Sequence, residues 1–160
     1  MLTEEDRAIY EWQLDVAGFG EEGQEKLRNT TALVSRIGGL GGPIAFALAA
    51  AGIGKLILAH AGNLRKDDLN RQILMQWEGL GKPRVESAAK TLATFNPKVE
   101  VEIHNENFSE TNATALVSKA DIVFASAPLF EERFLMNQEC VRQNKTMIDC
   151  AMYSLEGHVM

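Results

Sequence analysis

Four glycines fall within nine residues at Ser35-Arg36-Ile37-Gly38-Gly39-Leu40-Gly41-Gly42-Pro43, directly after the apolar run Thr31 to Val34. A strand, a glycine-rich turn and a helix in that order aim backbone N–H groups and the positive end of a helix dipole at one point, which suits a phosphate or pyrophosphate. The plain alternative is a flexible turn. The G-x-G-x-x-G dinucleotide fingerprint is met only in part, because its first glycine would stand where Arg36 is, leaving Gly38 and Gly41. A second constellation adds cations. The segment "DDLNRQ" (Asp67 to Gln72) is followed ten residues later by Lys82 in "GKPRVESA", which puts Arg71 and Lys82 near the same sheet edge as the loop. Cations beside a helix N-terminus make a polyphosphate pocket, whereas a single Arg or Lys is more often a solvated surface charge. Their coincidence with the loop favours the first reading. His60, in "LAHAGN", stands where a nicotinamide-binding fold carries an acid for the ribose hydroxyls, and no carboxylate follows before Asp67. Its imidazole could still hydrogen-bond a ribose, although a lone histidine at a strand end is more often a surface or turn residue.

These residues need a scaffold, and the pattern of the chain predicts one. Thr3 followed by Glu4, Glu5 and Asp6 makes a capped, acid-rich helix start, and the glycines of "GFGEEGQEKL" break that helix before a second short one within residues 3 to 28. Thr31 to Ser35 reads as a buried strand. The helix after the loop has Pro43 in its first turn and Gly52 as its C-terminal cap. Lys55 to His60 is a second strand, Pro83 to Phe95 repeats apolar residues at helical spacing, and Val99 to His104 alternates as a third strand. Ser109 is expected to cap a helix to Lys119. Asp121 to Ala125 follows as a strand, Glu131 to Asn144 as a helix, Thr146 to Cys150 as a fifth strand, and "MYSLEGHVM" as a further strand cut short. Alternating strands and helices predict an α/β fold: a doubly wound, Rossmann-like, mostly parallel sheet with helices on both faces and an N-terminal helical segment. The expected division is one domain over 1–160, with a helical arm at 1–30 and a core at 31–160. An ending inside an apolar segment leads us to expect the N-terminal part of a longer protein.

Composition bounds the function. With 160 residues, 46% hydrophobic and 24% charged, the chain is long enough for one domain with a core. A net charge of −6 offers no basic face for a nucleic acid backbone, so nucleic acid is not an expected partner. The longest apolar stretch, Pro43 to Ile53, is far short of the ~20 residues that span a bilayer, and the acidic start "MLTEEDRAIYEW" is unlike a signal peptide. A cytoplasmic protein without a membrane partner is expected. Cys140 and Cys150 form no C-x-x-C pair and read as buried, structural thiols; no metal-ligating cluster is identified.

Taken together in order, several segments resemble the ThiF, MoeB and HesA family of ubiquitin-activating-type adenylyltransferases: "GQEKL", "GGLGGP", "LAAAGIGKLILAH", "DDLNRQIL", "GKPRVESA", "FNPKVEV" and "CAMYSLEGHV". The resemblance covers essentially the whole chain and is nearest to a HesA-like branch, which shares "AHAGN" and "APLFEER". It implies a homodimer that binds ATP over the glycine loop. There the C-terminal carboxylate of a small ubiquitin-like sulfur-carrier protein attacks the α-phosphate, giving an acyl-adenylate and pyrophosphate. It further implies that Gly38, Gly39 and Gly41 contact the nucleotide phosphates and that Arg71, Gln72 and Lys82 bind or polarise them.

The departures from the family pattern fall at informative places. The R-Y-x-R-Q pattern, whose arginine reaches the partner subunit's ATP, falls on Ile9-Tyr10-Glu11-Trp12-Gln13, without either arginine. The ribose aspartate is His60, and the asparagine ahead of L-Q-R-Q is Asp68. The T-D-N aspartate that organises magnesium (Mg2+) falls within Ala127-Pro128-Leu129, so Glu131, Glu132 and Asp149 are the acids left to take its place. The leading expectation is an adenylyltransferase-type domain with ATP and Mg2+. The rival is a catalytically silent docking or dimerisation module of the same fold. A nicotinamide oxidoreductase lacks both the ribose carboxylate and an evident hydride-transfer acid or base.

Overall fold

A computed structural model describes residues 1–160. Its centre is the strand β1 (Thr31–Ser35), whose sequence TALVS is almost wholly buried, as a strand covered on both faces must be. Beside it lie β2 (Lys55–Ala59), β3 (Glu100–His104), β4 (Ile122–Ala125), β5 (Thr146–Tyr153) and β6 (Glu156–Val159), in the order β3-β2-β1-β4-β5-β6. All pairs are parallel except β5 with β6. The order reverses direction between β1 and β4. In open α/β sheets that switch point leaves a crevice beyond the carboxyl ends of the strands, and ligands bind there.

Alternation along the strands makes two cores. Ala32, Val34, Leu56 and Leu58 face α4 (Gly41–Ala51) and α5 (Arg84–Phe95). Leu33, Ile57, Val123 and Ala125 face α6 (Ala113–Ser118) and α7 (Phe130–Gln143). The small side chains of α4 bring it close to β1, and Gly52 at φ 87 ends it in the left-handed conformation that glycine accepts at low cost.

The N-terminal segment forms α1 (Glu4–Ile9), α2 (Glu11–Leu14) and α3 (Gly20–Arg28). Thr3 and Asp6 cap α1 reciprocally. The segment docks at the far end of α4, away from the glycine loop. Gln13 and Gln24 both donate to the Ala51 carbonyl, at 2.9 and 3.0 Å, and Asn96 donates to the Tyr10 hydroxyl at 3.0 Å.

Two local expectations need correction. Ser109 does not begin a helix: the Asn112 carboxamide accepts its N–H at 2.9 Å, closing a turn, and α6 starts at Ala113. The final segment is not a lone strand, since β5 runs on to Tyr153 and folds back as β6 through a two-residue turn with Ser154 at φ 55. No helix is long and apolar enough to cross a membrane.

Candidate functional site

The carboxyl ends of β1, β2 and β4 carry the residues that the sequence singled out. The loop after β1 turns at Arg36, whose φ of 58 is the left-handed backbone conformation that glycine prefers. The Arg36 N–H donates to the Ala59 carbonyl at 2.8 Å, and its own carbonyl accepts from the Gly38 N–H at 2.7 Å. The loop is therefore tied to the end of β2.

The three candidate glycines differ in what surrounds them. A methyl group on Gly38 would lie 3.6 Å from Gln72 and 3.8 Å from the His60 ring. One on Gly39 would lie 3.3 Å from the Arg71 side chain. These two glycines face the other site residues. A methyl on Gly41 would lie 2.6 Å from the Arg36 carbonyl oxygen, so the bare Cα there has a packing reason: it lets α4 approach the strand end.

His60 and Gln72 are both buried, and each keeps a polar atom without a partner, His60 Nδ1 and Gln72 Oε1. The third such atom in the chain is Ser126 Oγ, at the end of β4. Ser126 is also linked across the switch point, its N–H donating to Ser35 Oγ at 3.0 Å. Buried polar atoms normally find partners, so three orphans clustered along one sheet edge mark groups that a ligand can satisfy. Burial, with the nearby Arg84 and Arg36 charges, lowers the His60 pKa to about 4. The imidazole is neutral at pH 7.

Asp68 organises the loop between β2 and α5. Its carboxylate is buried and accepts the Arg65 N–H at 3.0 Å, the Gln72 side-chain amide at 2.7 Å and Arg84 Nη2 at 2.7 Å. Burial raises its pKa, but the Arg65 N–H and the Arg84 guanidinium outweigh this and hold it below the ordinary carboxylate value. Arg84, at the first turn of α5, also reaches the Ala61 carbonyl at 3.3 Å. Arg71 is exposed and donates to the Asp67 carbonyl at 2.8 Å. Lys82 is exposed, its backbone carbonyl accepts from Leu64 at 2.8 Å, and its ammonium forms no ion pair within the chain. The structure thus brings Gly38, His60 and Gln72 together and sets Arg71 beside Gly39. No hydrogen bond or ion pair joins the exposed Lys82 side chain to them.

Two of the three acids after β4 are engaged. Glu132 pairs with Arg36 through both carboxylate oxygens, and Asp149 pairs with Arg133. Glu131 is exposed. No three His, Cys, Asp or Glu side chains gather where they could hold a metal ion. Sequence reasoning missed the Arg36–Glu132 and Asp68–Arg84 pairs. The signal for the first was an arginine at a glycine position; nothing local announced the second.

Comparison with known proteins gives the family and the fold. The chain is 44% identical over 158 residues to the vegetative HesA protein of Trichormus variabilis, covering 99% of the chain and 60% of that protein. It is 32% identical over 157 residues to the sulfur carrier protein adenylyltransferase of Thermus thermophilus, covering 98% of the chain and 58% of that protein. The chain therefore spans about three-fifths of the length of these relatives. Among solved structures, Escherichia coli MccB with ATP superposes with a TM-score of 0.74 at 28% identity, over 82% of the chain and 40% of MccB. E. coli tRNA N6-threonylcarbamoyladenosine dehydratase, TcdA, with AMP shares the fold at a TM-score of 0.85 and 21% identity, over 93% of the chain and 60% of TcdA. With the ThiF family matching residues 10–160, across the glycine loop and every strand of the sheet, this chain belongs to the ThiF family.

Proposed function

We propose that residues 1–160 form the nucleotide-binding domain of an ATP-dependent adenylyltransferase. It acts as a homodimer on the C-terminal carboxylate of a small ubiquitin-like or sulfur-carrier protein. One observation carries the reading: the side chains of His60 and Gln72, whose Nδ1 and Oε1 are buried and unpartnered, lie beside Gly38 of the glycine loop at the switch-point edge. The sulfur carrier protein adenylyltransferase and the ATP-bound MccB among its relatives support it.

Each residue then has a physical task. Gly38 and Gly39 leave room for phosphate oxygens to approach backbone N–H groups at the start of α4, where the helix dipole favours anions. Neutral His60 exchanges a hydrogen bond with a ribose hydroxyl, and the Gln72 carbonyl accepts another. Arg71, exposed beside Gly39, and Lys82, whose ammonium has no ion pair, add positive charge beside the phosphates. When a carboxylate oxygen attacks the α-phosphorus, a C–O–P bond forms and the bond from the α-phosphorus to the bridging oxygen breaks. Pyrophosphate leaves with the electron pair, and cations and N–H donors that meet this charge lower the barrier. Of the three candidate acids, Glu132 and Asp149 are each held by an arginine and no group of three metal-ligating side chains gathers, so the exposed Glu131 is the one carboxylate free to meet a magnesium ion carried by the ATP phosphates. The charge relief is assigned to Arg71, Lys82 and the backbone.

That same sequestering of acids supports a second reading, a docking or dimerisation module that keeps the fold and its nucleotide site without turnover. The test combines calorimetric titration of the chain with ATP and exchange of labelled pyrophosphate into ATP. The exchange is run with a sulfur-carrier protein ending in glycine. Binding with exchange supports the enzyme, binding without exchange supports the module, and saturable binding of NAD in place of ATP overturns both.

A further inference from the structure

Arg36 is the single charged residue of the loop from Ser35 to Pro43, and its backbone does not explain it. The left-handed conformation costs a non-glycine residue roughly 1–2 kcal/mol. Glycine would serve the Ala59 and Gly38 hydrogen bonds equally well. The reason for an arginine therefore lies in its side chain.

That side chain crosses the switch point. Nε donates to Glu132 Oε2 at 3.0 Å and Nη2 donates to Oε1, so one edge of the guanidinium is fixed on the first turn of α7. Both side chains are largely buried, Arg36 at 18% and Glu132 at 9% exposure, so the geometry is held rather than fluttering at the surface. Nη1 has no partner in the chain. It is also absent from the polar atoms sealed away without one, so it remains open to solvent. The orphaned Ser126 Oγ lies on the neighbouring strand end, and the Arg36 charge acts on the orphaned His60 ring.

We infer that Arg36 is an anion-contacting residue of this crevice: Glu132 holds its guanidinium by Nε and Nη2, and Nη1 meets a phosphate oxygen of the ligand. The inference deepens the nucleotide reading and rests on it for the ligand. Glu132 is a positioning residue in this arrangement. By holding the fork in place it removes the ordering cost that a free arginine would meet on binding. Unlike the exposed Arg71 and Lys82, this cation is largely buried and held in place by a carboxylate partner.

The test is calorimetric titration of the wild type and an Arg36→Gly/Glu132→Gln double variant with ATP, adenosine and inorganic pyrophosphate. The double change removes the pair as a unit, leaves no buried unpaired charge and relieves the backbone at residue 36. The expected result is a roughly 10- to 100-fold loss of ATP and pyrophosphate affinity, the scale of one charge-assisted hydrogen bond, with adenosine affinity unchanged. Glu132→Gln alone should show a smaller loss confined to the two anions. Unchanged ATP affinity in the double variant, or equal loss for adenosine and ATP, overturns the inference. If the wild type binds pyrophosphate but not ATP, the nucleotide reading fails while pyrophosphate still decides the role of Arg36. If it binds neither anion, both fail. Should the double variant not fold, Arg36→Gln/Glu132→Gln, which also removes both charges, gives the same comparison.

Discussion

At the scale of single residues, His60 carries the most information, because its burial has a titratable consequence. Its pKa is lowered from 6.5 to about 4, so the folded chain resists a proton that the unfolded chain accepts. The stability tied to neutral His60 is fully present above pH 6.5 and is lost as the pH falls towards 4. Between pH 7 and pH 5 this amounts to about 2 kcal/mol. The lowered carboxylates titrate below that window: Glu102, held at about 2 by Lys119, Lys55 and His104, loses its contribution as the pH falls from 4.5 to about 2. Urea denaturation should therefore weaken between pH 7 and pH 5 in the wild type and stay nearly flat in His60→Gln. Parallel curves for the two proteins would show that His60 is not buried neutral. Gly38 supplies a second residue-scale test. A methyl group there makes only ordinary contacts with Gln72 and His60 but fills the space they enclose. Gly38→Ala should fold as the wild type does and bind ATP at least 10-fold more weakly, read by calorimetry.

Elements set what the residues can do, and the junction of the glycine loop with α4 shows how. Gly41→Ala would push a methyl to 2.6 Å from the Arg36 carbonyl, a backbone atom that cannot yield, whereas Gly39→Ala meets the flexible, exposed Arg71 at 3.3 Å. Gly41→Ala should lower stability by about 2–4 kcal/mol and Gly39→Ala by less than about 1, measured by chemical denaturation. Equal costs would mean that the helix can retreat from the strand. The anchoring of α5 depends on a buried pair in the same way. Removing one partner by Asp68→Ala leaves Arg84 uncompensated, and about 3 kcal/mol of lost stability is expected. These elements also show what was legible in the sequence. The strand–loop–helix order, the Gly52 cap and the cations of "DDLNRQ" and "GKP" are local patterns and could be read directly. Arg36 with Glu132, 96 positions apart, could not, because no local period links them. The hairpin of β5 and β6 was hidden by its chemistry, since Ser154 takes a positive φ without the glycine or asparagine that normally announces such a turn. Ser109 misled for a related reason: a side chain suited to a helix cap is equally suited to a turn.

For the whole molecule, the informative property is that the candidate site draws on the entire length of the chain. It takes the loop after β1, His60 after β2, the segment from Asp68 to Arg84, Ser126 after β4 and Glu132 on α7. A ligand that touches these groups binds only the folded state, in which the two cores on opposite faces of one sheet are closed together. Binding must then raise the stability of the whole fold rather than of one lobe. At ATP 100-fold above its dissociation constant the gain is about 2.7 kcal/mol. For a chain of this size that corresponds to a rise in Tm of roughly 5–10 °C. Arg71 and Lys82 are exposed and carry little of the folded structure, so Arg71→Ala and Lys82→Ala should leave the unliganded Tm nearly unchanged while reducing the ATP-dependent rise. His60→Ala should reduce it more modestly, through the ribose. Scanning calorimetry with and without ATP reads all of these in one series. An equal rise in the wild type and in both cation variants would mean that the triphosphate does not lie beside Arg71 and Lys82. No rise in the wild type at millimolar ATP would remove the nucleotide from the site altogether.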